Sequence, residues 1–282
     1  MAVLTISREF ESGGREVGQA VAKLMNYEYI DRKTILEDMR KAGKQWEEQA
    51  SHFDENYPNV AERYEWAFRG FVALNQYYML DYATRDSVVI MGRGGNFLLK
   101  GIPYVMRVMI KAPIELRIKK LINWEGMNSE NARWLIEKAD REMAQSVYLI
   151  HGRNWDDPGE YDMVFDTSVT TIDQIIPLVR EALLEKEKHK SEQAKATLQL
   201  RTVAARVKAA IATEPTLSIS ILDVDPKEEG LPDYGIVVRG VVHNRDDIKR
   251  IETLARSIAG GVPVECQLQY RMYGRMGRPE FK

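Results

Sequence analysis

One cysteine, Cys266, stands in the whole chain, so no intrachain disulfide can form and the fold must rest on packing. Histidine is scarce as well. His52, His151, His189 and His243 share no metal-ligand spacing, so no protein-held metal centre is expected. No apolar run approaches the ~20 residues that cross a bilayer, which excludes an integral membrane segment. The chain opens on a strand-like run rather than a basic and then apolar leader, and the cytoplasm is the expected compartment. A basic excess is lacking too. With a formal net charge of -2, the chain has none of the positive balance of proteins held by nucleic-acid phosphates. Nucleic acid is not an expected partner, and any anionic ligand must be gripped locally.

What is present is an ordinary globular composition, 44% hydrophobic and 29% charged over 282 residues, enough for two unequal domains. Residues 2–6 read as a buried strand, a glycine-bearing turn follows, and residues 15–25 carry Val17, Ala20, Val21 and Leu24 at helical spacing. Residues 27–30 form a short extended segment ending at Asp31, and the aromatic-rich stretch to residue 85 reads as helices whose rings belong to a core. Near-continuous apolar runs at 87–91 and 104–110 suit strands of a parallel sheet covered on both faces. Helices follow at 112–123 and at 129–147, the latter capped by Ser129. A strand at 161–166 and a helix at 172–184 close the pattern. Alternating strands and helices imply an α/β, doubly wound parallel sheet with a helical acceptor and lid region.

The charged run EKEKHKSEQAK then marks a helical linker, placed at 186–197. Beyond it come a helix (198–211), strands (217–224 and 234–242), a helix (246–258) and a strand (262–270), a small α+β unit of order αββαβ spanning 198–271. A basic tail, 272–282, ends the chain. Within the unit, Gly240 reads as a turn or bulge signal.

The chemistry centres on ISREFESGGREVG, residues 6–18, between the first strand and the first helix. Glycines there let backbone amides approach phosphate oxygens, and the helix N-terminus adds unpaired donors and a favourable dipole. Aligning GxxxxGK[ST] on Gly14 puts Arg15 at the lysine position and Glu16 at the Ser/Thr position, so the string itself fails. A glycine-bearing turn before a helix is by itself more often a plain connection.

Four segments in order change that balance: SREFESGGRE at 7–16, Asp31 with Arg32, MGRGGNFLLK at 91–100 and YDMVFDTS at 161–168. Together they resemble the cytidylate kinase-like family of P-loop nucleoside monophosphate kinases over residues 1–185. The resemblance implies a P-loop kinase domain that uses ATP, with Mg2+ held by the nucleotide phosphates rather than by protein ligands. It implies that Ser12, Gly13, Gly14, Arg15 and Glu16 hold the donor phosphates. Asp31, Arg93 and Asp166 would face the acceptor. Asp140 and Arg141 would open a lid that runs through His151 and Arg153, with Arg15, Arg141 and Arg153 as the catalytic cations. The C-terminal unit looks like a BON domain, a module associated with phospholipid or protein contacts, and protein contact or self-association is its expected role.

Two departures from the family pattern stand out. Glu11 replaces a glycine, and Met143 replaces a second basic lid residue. A carboxylate ~5 Å from a phosphate at an effective dielectric of ~20 costs roughly 3 kcal/mol per charge pair. The leading expectation is ATP-dependent phosphoryl transfer to a nucleoside monophosphate, CMP or dCMP. The alternative is a catalytically degenerate nucleotide or phosphate sensor that signals through the C-terminal module. A scaffold that binds no nucleotide is the third reading.

Overall fold

The central strand β1 (Val3–Arg8) is flanked by β3 (Val88–Met91) on one side and β4 (Val105–Lys111) on the other. The structure is a computed structural model, and it describes residues 1–55, 65–92, 94–227 and 234–272. Two units divide the chain: Met1–Asn59 with Asn75–Gln199, and Val60–Leu74 with Leu200–Lys282.

In the first unit, β2 (Glu28–Ile30) and β5 (Met163–Asp166) complete a five-stranded sheet of order β2-β3-β1-β4-β5, with every pairing parallel. Strands buried on both faces need apolar side chains in both directions. Val3, Leu4, Ile6, Val88, Val89 and Ile90 accordingly have no exposed surface. Helices α1 (Gly14–Met25) and α8 (Ile172–Glu187) cover one face, where Val17, Val21, Ile175, Val179 and Leu183 pack on Leu4, Ile6, Val108 and Ile110. The remaining helices are α2 (Arg32–Ala42), α3 (Lys44–Glu55), α4 (Trp66–Thr84), the four-residue α5 (Gly95–Leu98), α6 (Ile114–Glu125) and α7 (Ser129–His151). Trp46 and Tyr82 are buried, so these rings serve packing.

From its carboxyl end β1 leads through α1 to β2 on one side, while the adjacent β4 leads through α6 and α7 to β5 on the other. In open parallel sheets such a divergence marks the crevice where ligands bind.

In the second unit α9 (Glu192–Ala212), β6 (Ile219–Pro226), β7 (Ile236–Val242), α10 (Asp246–Ala259) and β8 (Val264–Tyr270) follow in the order αββαβ. The sheet order is β6-β7-β8, antiparallel and then parallel. Val203, Val207 and Ile211 of α9 and Ile251 and Ala255 of α10 pack with Val238 and Val242 of β7. Gly240 lies where a side chain would meet Ile221 O and Ile219 Cδ1 at 2.9 Å, beside the irregular register of β6.

One capping residue differs from the sequence expectation. Ser129 is the first helical residue of α7, not its cap: Asn128, extended at φ -74 and ψ 157, accepts the Asn131 N–H at 2.8 Å. Within 186–197, α8 ends at Glu187 and α9 begins at Glu192. The tail from residue 273 onward lies outside the described residues.

Candidate active site

The loop after β1 is shaped by two left-handed residues, Glu11 (φ 60) and Gly13 (φ 93), the second standing immediately before α1. Left-handed backbone costs an ordinary L-residue roughly 1–2 kcal/mol, so Glu11 occupies a position that favours glycine. The Glu9 N–H donates to Ile110 O at 3.0 Å and the Ser12 N–H to Glu9 O at 3.2 Å, which turns the chain back over β4. At Gly14 a Cβ would come within 2.6 Å of the Arg8 Cβ, so no larger residue fits. Ser12 is buried, and its hydroxyl donates to Ile110 O at 3.0 Å. The side chain and the backbone N–H of Ser12 thus both shape the loop and secure it to β4. First-turn amides of a helix have no intrahelical acceptor, and in α1 they adjoin this loop at the positive end of the helix dipole.

A second set of contacts fixes the loop from α6 and α7. Asp140 accepts the Phe10 N–H at 2.9 Å through one carboxylate oxygen and Arg117 Nη1 at 2.6 Å through the other. Arg117, only 6% exposed, also donates to Phe10 O at 3.2 Å and lies 3.7 Å from the Glu9 carboxylate. Glu9 in turn accepts the Ala112 N–H at 2.8 Å. Burial raises the Glu9 carboxyl above its ordinary value, against the opposing pull of that amide and of Arg117. Asp140, expected to open the lid, is thus a loop anchor within an unbroken 23-residue helix.

Lys120, one turn beyond Arg117 on α6, reaches the same loop. Its ammonium lies 3.1 Å from the Glu11 carboxylate and 2.6 Å from that of Glu16. Burial acts to raise the Glu16 carboxyl, yet the Lys120 hydrogen bond and charge carry it below its ordinary value. Burial likewise acts to lower Lys120, and its bonds to both glutamates carry it above. The exposed Trp124 ring centre lies 4.8 Å from the same ammonium. Arg15, beside Glu16 on the first turn of α1, is exposed.

The expected acceptor and lid residues spread around this loop. Asp31 caps α2 by accepting the Thr34 N–H at 3.2 Å. Asp166 accepts the Ser168 N–H and hydroxyl at 2.8 and 2.6 Å, and the adjoining Thr167 hydroxyl donates to Ser12 O at 3.1 Å. Arg93 lies outside the described residues. Arg141 is exposed on α7, and Arg153 pairs at 3.3 Å with the buried Glu160, which also holds Lys100 at 2.7 Å. Met143 packs with Val147, Trp155 and Tyr161 over Met109 of β4. Met143, Val147 and Trp155 close a cavity against Ser7, Arg8, Gly92 and Gly94 that holds about 10 Å³. That is room for about one water. Asn96 is buried beneath, its Oδ1 3.4 Å from the Ser7 hydroxyl and its Nδ2 without a partner. Among the described residues no group of three or more His, Cys, Asp or Glu could hold a metal ion. No helix among them is long and apolar enough to cross a membrane.

Sequence reasoning missed Arg117, Lys120 and Asn96. Arg117 and Lys120 stand three apart in RIKK, on one face of α6, and that spacing was the available signal.

A parallel sheet of this order, with a glycine-bearing loop running from its central strand into a helix, defines the P-loop kinase fold. Residues 3–169 match the sequence model of the cytidylate kinase-like family, and the chain belongs to that family. The chain is 21% identical over 181 residues to the cytidylate kinase of Pyrococcus furiosus, covering 64% of this chain and 88% of that enzyme. It is 22% identical over 186 residues to the cytidylate kinase of Methanocaldococcus jannaschii, covering 64% of this chain and 97% of that enzyme. Among solved structures, an uncharacterized protein of Eubacterium ventriosum superposes with a TM-score of 0.52 at 16% identity, covering 65% of this chain and 98% of that one.

Proposed function

We propose that the protein is an ATP-dependent nucleoside monophosphate kinase whose acceptor is CMP or dCMP. The observation that carries this reading is the loop 9–13, left-handed at Glu11 and Gly13 and opening onto the first turn of α1, in a chain of the cytidylate kinase-like family. ATP, with magnesium on its phosphates, supplies the transferable phosphoryl group. Ser12 holds the loop in shape through its bonds to Glu9 O and Ile110 O, backbone amides of residues 13–16 receive the donor phosphates, and Arg15 adds charge where a P-loop lysine usually stands; its planar guanidinium suits phosphate oxygens. Phosphoryl transfer asks the protein mainly for in-line positioning and for charge on the equatorial oxygens. Arg141 and Arg153 supply that charge from the lid side, which requires Arg153 to exchange Glu160 for the substrate. Asp31 and Asp166 border the acceptor. The apolar cover of Met143, Val147 and Trp155 excludes water once substrates are bound, limiting loss of the phosphoryl group to solvent.

The second unit, through its αββαβ order, supports a BON-like module that contacts protein or a second copy of the chain, and a cytoplasmic location completes the proposal. The sensor reading is not carried further, since the relatives matched over the first unit are named as kinases. The test is a panel of nucleoside monophosphates with ATP and magnesium. The proposal expects the highest kcat/KM for CMP or dCMP; a clear preference for a purine nucleotide would refute the acceptor assignment, and no transfer to any acceptor would refute the activity.

A further inference from the structure

The geometry points to Lys120 as the counter-ion that allows a phosphate loop bearing two glutamates to accept a polyphosphate. This inference rests on the loop being the donor site. Glu11 lies within the loop and Glu16 on the first turn of α1, so two carboxylates adjoin the amides that would receive phosphate. An uncompensated carboxylate ~5 Å from a phosphate weakens binding by on the order of a hundredfold at an effective dielectric of ~20. A buried cation beside the loop, Arg117, is already engaged by Asp140, Glu9 and Phe10 O. Lys120 instead directs its charge at the two glutamates, 3.1 Å from Glu11 and 2.6 Å from Glu16. Its side chain is only 17% exposed, so solvent screening weakens this pairing little.

Lys120 therefore acts through Glu11 and Glu16 and is a positioning residue rather than a phosphate ligand. It cancels their repulsion and keeps both carboxylates directed to α6. The role is readable in this chain because Glu11 stands at a left-handed position that favours glycine. A glycine there would bring no charge to cancel.

The experiment is equilibrium binding of ATP with magnesium to the full chain, as wild type and as Lys120→Met, Lys120→Arg, Glu11→Gln/Glu16→Gln and the triple variant Glu11→Gln/Glu16→Gln/Lys120→Met. Circular dichroism checks that each variant is folded, and methionine retains the packing of the lysine stem. Lys120→Met is expected to weaken binding at least ~tenfold, with the loss shrinking as salt is raised. Lys120→Arg should bind within ~threefold of wild type, and the triple variant should recover most of the loss. A triple variant as weak as Lys120→Met would overturn the inference by making Lys120 a direct ligand. Lys120→Met binding as tightly as wild type would overturn it by showing no electrostatic role. Wild type that fails to bind ATP would overturn the donor-site reading and this inference with it, whereas the two previous results leave that reading standing.

Discussion

Asp140 lies 2.6 Å from Arg117 Nη1, and its other carboxylate oxygen takes the Phe10 N–H. One side chain of α7 thereby ties α6 to the phosphate loop. Removing one partner of a buried ion pair leaves an unpaired charge and typically costs about 3–5 kcal/mol. Asp140→Ala is expected to destabilise the protein by about 3 kcal/mol, measured by urea denaturation with unchanged m-value. A loss below about 1 kcal/mol would remove Asp140 from its anchoring role.

Asp31 separates a structural duty from a functional one. Its carboxylate caps α2, and loss of an N-cap costs about 1 kcal/mol. Asp31→Ala should show that loss, whereas Asp31→Asn keeps an acceptor oxygen and should remain within about 0.5 kcal/mol of wild type. If Asp31 also borders the acceptor, Asp31→Asn should raise KM for the monophosphate and leave KM for ATP unchanged. Equal effects on both substrates would leave only the cap.

Gly14 has no room for a side chain, because the nearest obstacle is the Arg8 Cβ at 2.6 Å, an atom fixed to the β1 backbone. Gly14→Ala must displace the loop, at a cost of about 1–3 kcal/mol for overpacking. ATP affinity should fall with it. A folded Gly14→Ala variant with wild-type affinity, read by titration calorimetry, would show that the loop's shape is not what holds the donor.

Three of the shifted carboxyls, Asp162, Glu16 and Glu9, show how stability should depend on pH. The Asp162 carboxyl is opposed by burial but lowered further by Arg107, which approaches it at 3.1 Å, and by Lys186. Glu16 is lowered through Lys120. Carboxylates lowered on folding contribute stability above their ordinary values, 3.8 for Asp162 and 4.5 for Glu16, and lose it as pH falls through the lower folded values. Glu9 works the other way: burial raises it, so ionising it costs stability as pH climbs from 4.5 through its folded value. Denaturation midpoints should therefore fall on acidification below about pH 4, and Asp162→Asn should flatten that fall. An identical acid profile in this variant would exclude Asp162 as a source of the dependence.

Much of the sheet was legible because β1, β3 and β4 are buried on both faces and so read as apolar runs, VVIM most plainly. The loop was legible from Gly13 and Gly14, whose positions between strand and helix are local facts. Contacts that complete the site were not. Lys120 meets Glu16 across 104 positions and Arg117 meets Phe10 across 107, and no local pattern encodes such encounters. The same holds for the expected effect of Glu11: charge alone predicts repulsion, and only the fold brings Lys120 to it. Asn128 and Ser129 show the finer limit, since adjacent capping residues differ in the backbone angle that a sequence does not display.

The most direct test of the account is nucleoside diphosphate formation from ATP, magnesium and CMP by wild type and by Arg15→Ala under identical conditions. The account predicts turnover by the wild type and a loss of at least ~100-fold in kcat/KM in the variant, as expected when a cation acting on the transferring phosphoryl group is removed. Equal rates in the two proteins would contradict the role assigned to Arg15 in this loop, and no turnover by folded wild type would contradict the kinase assignment itself.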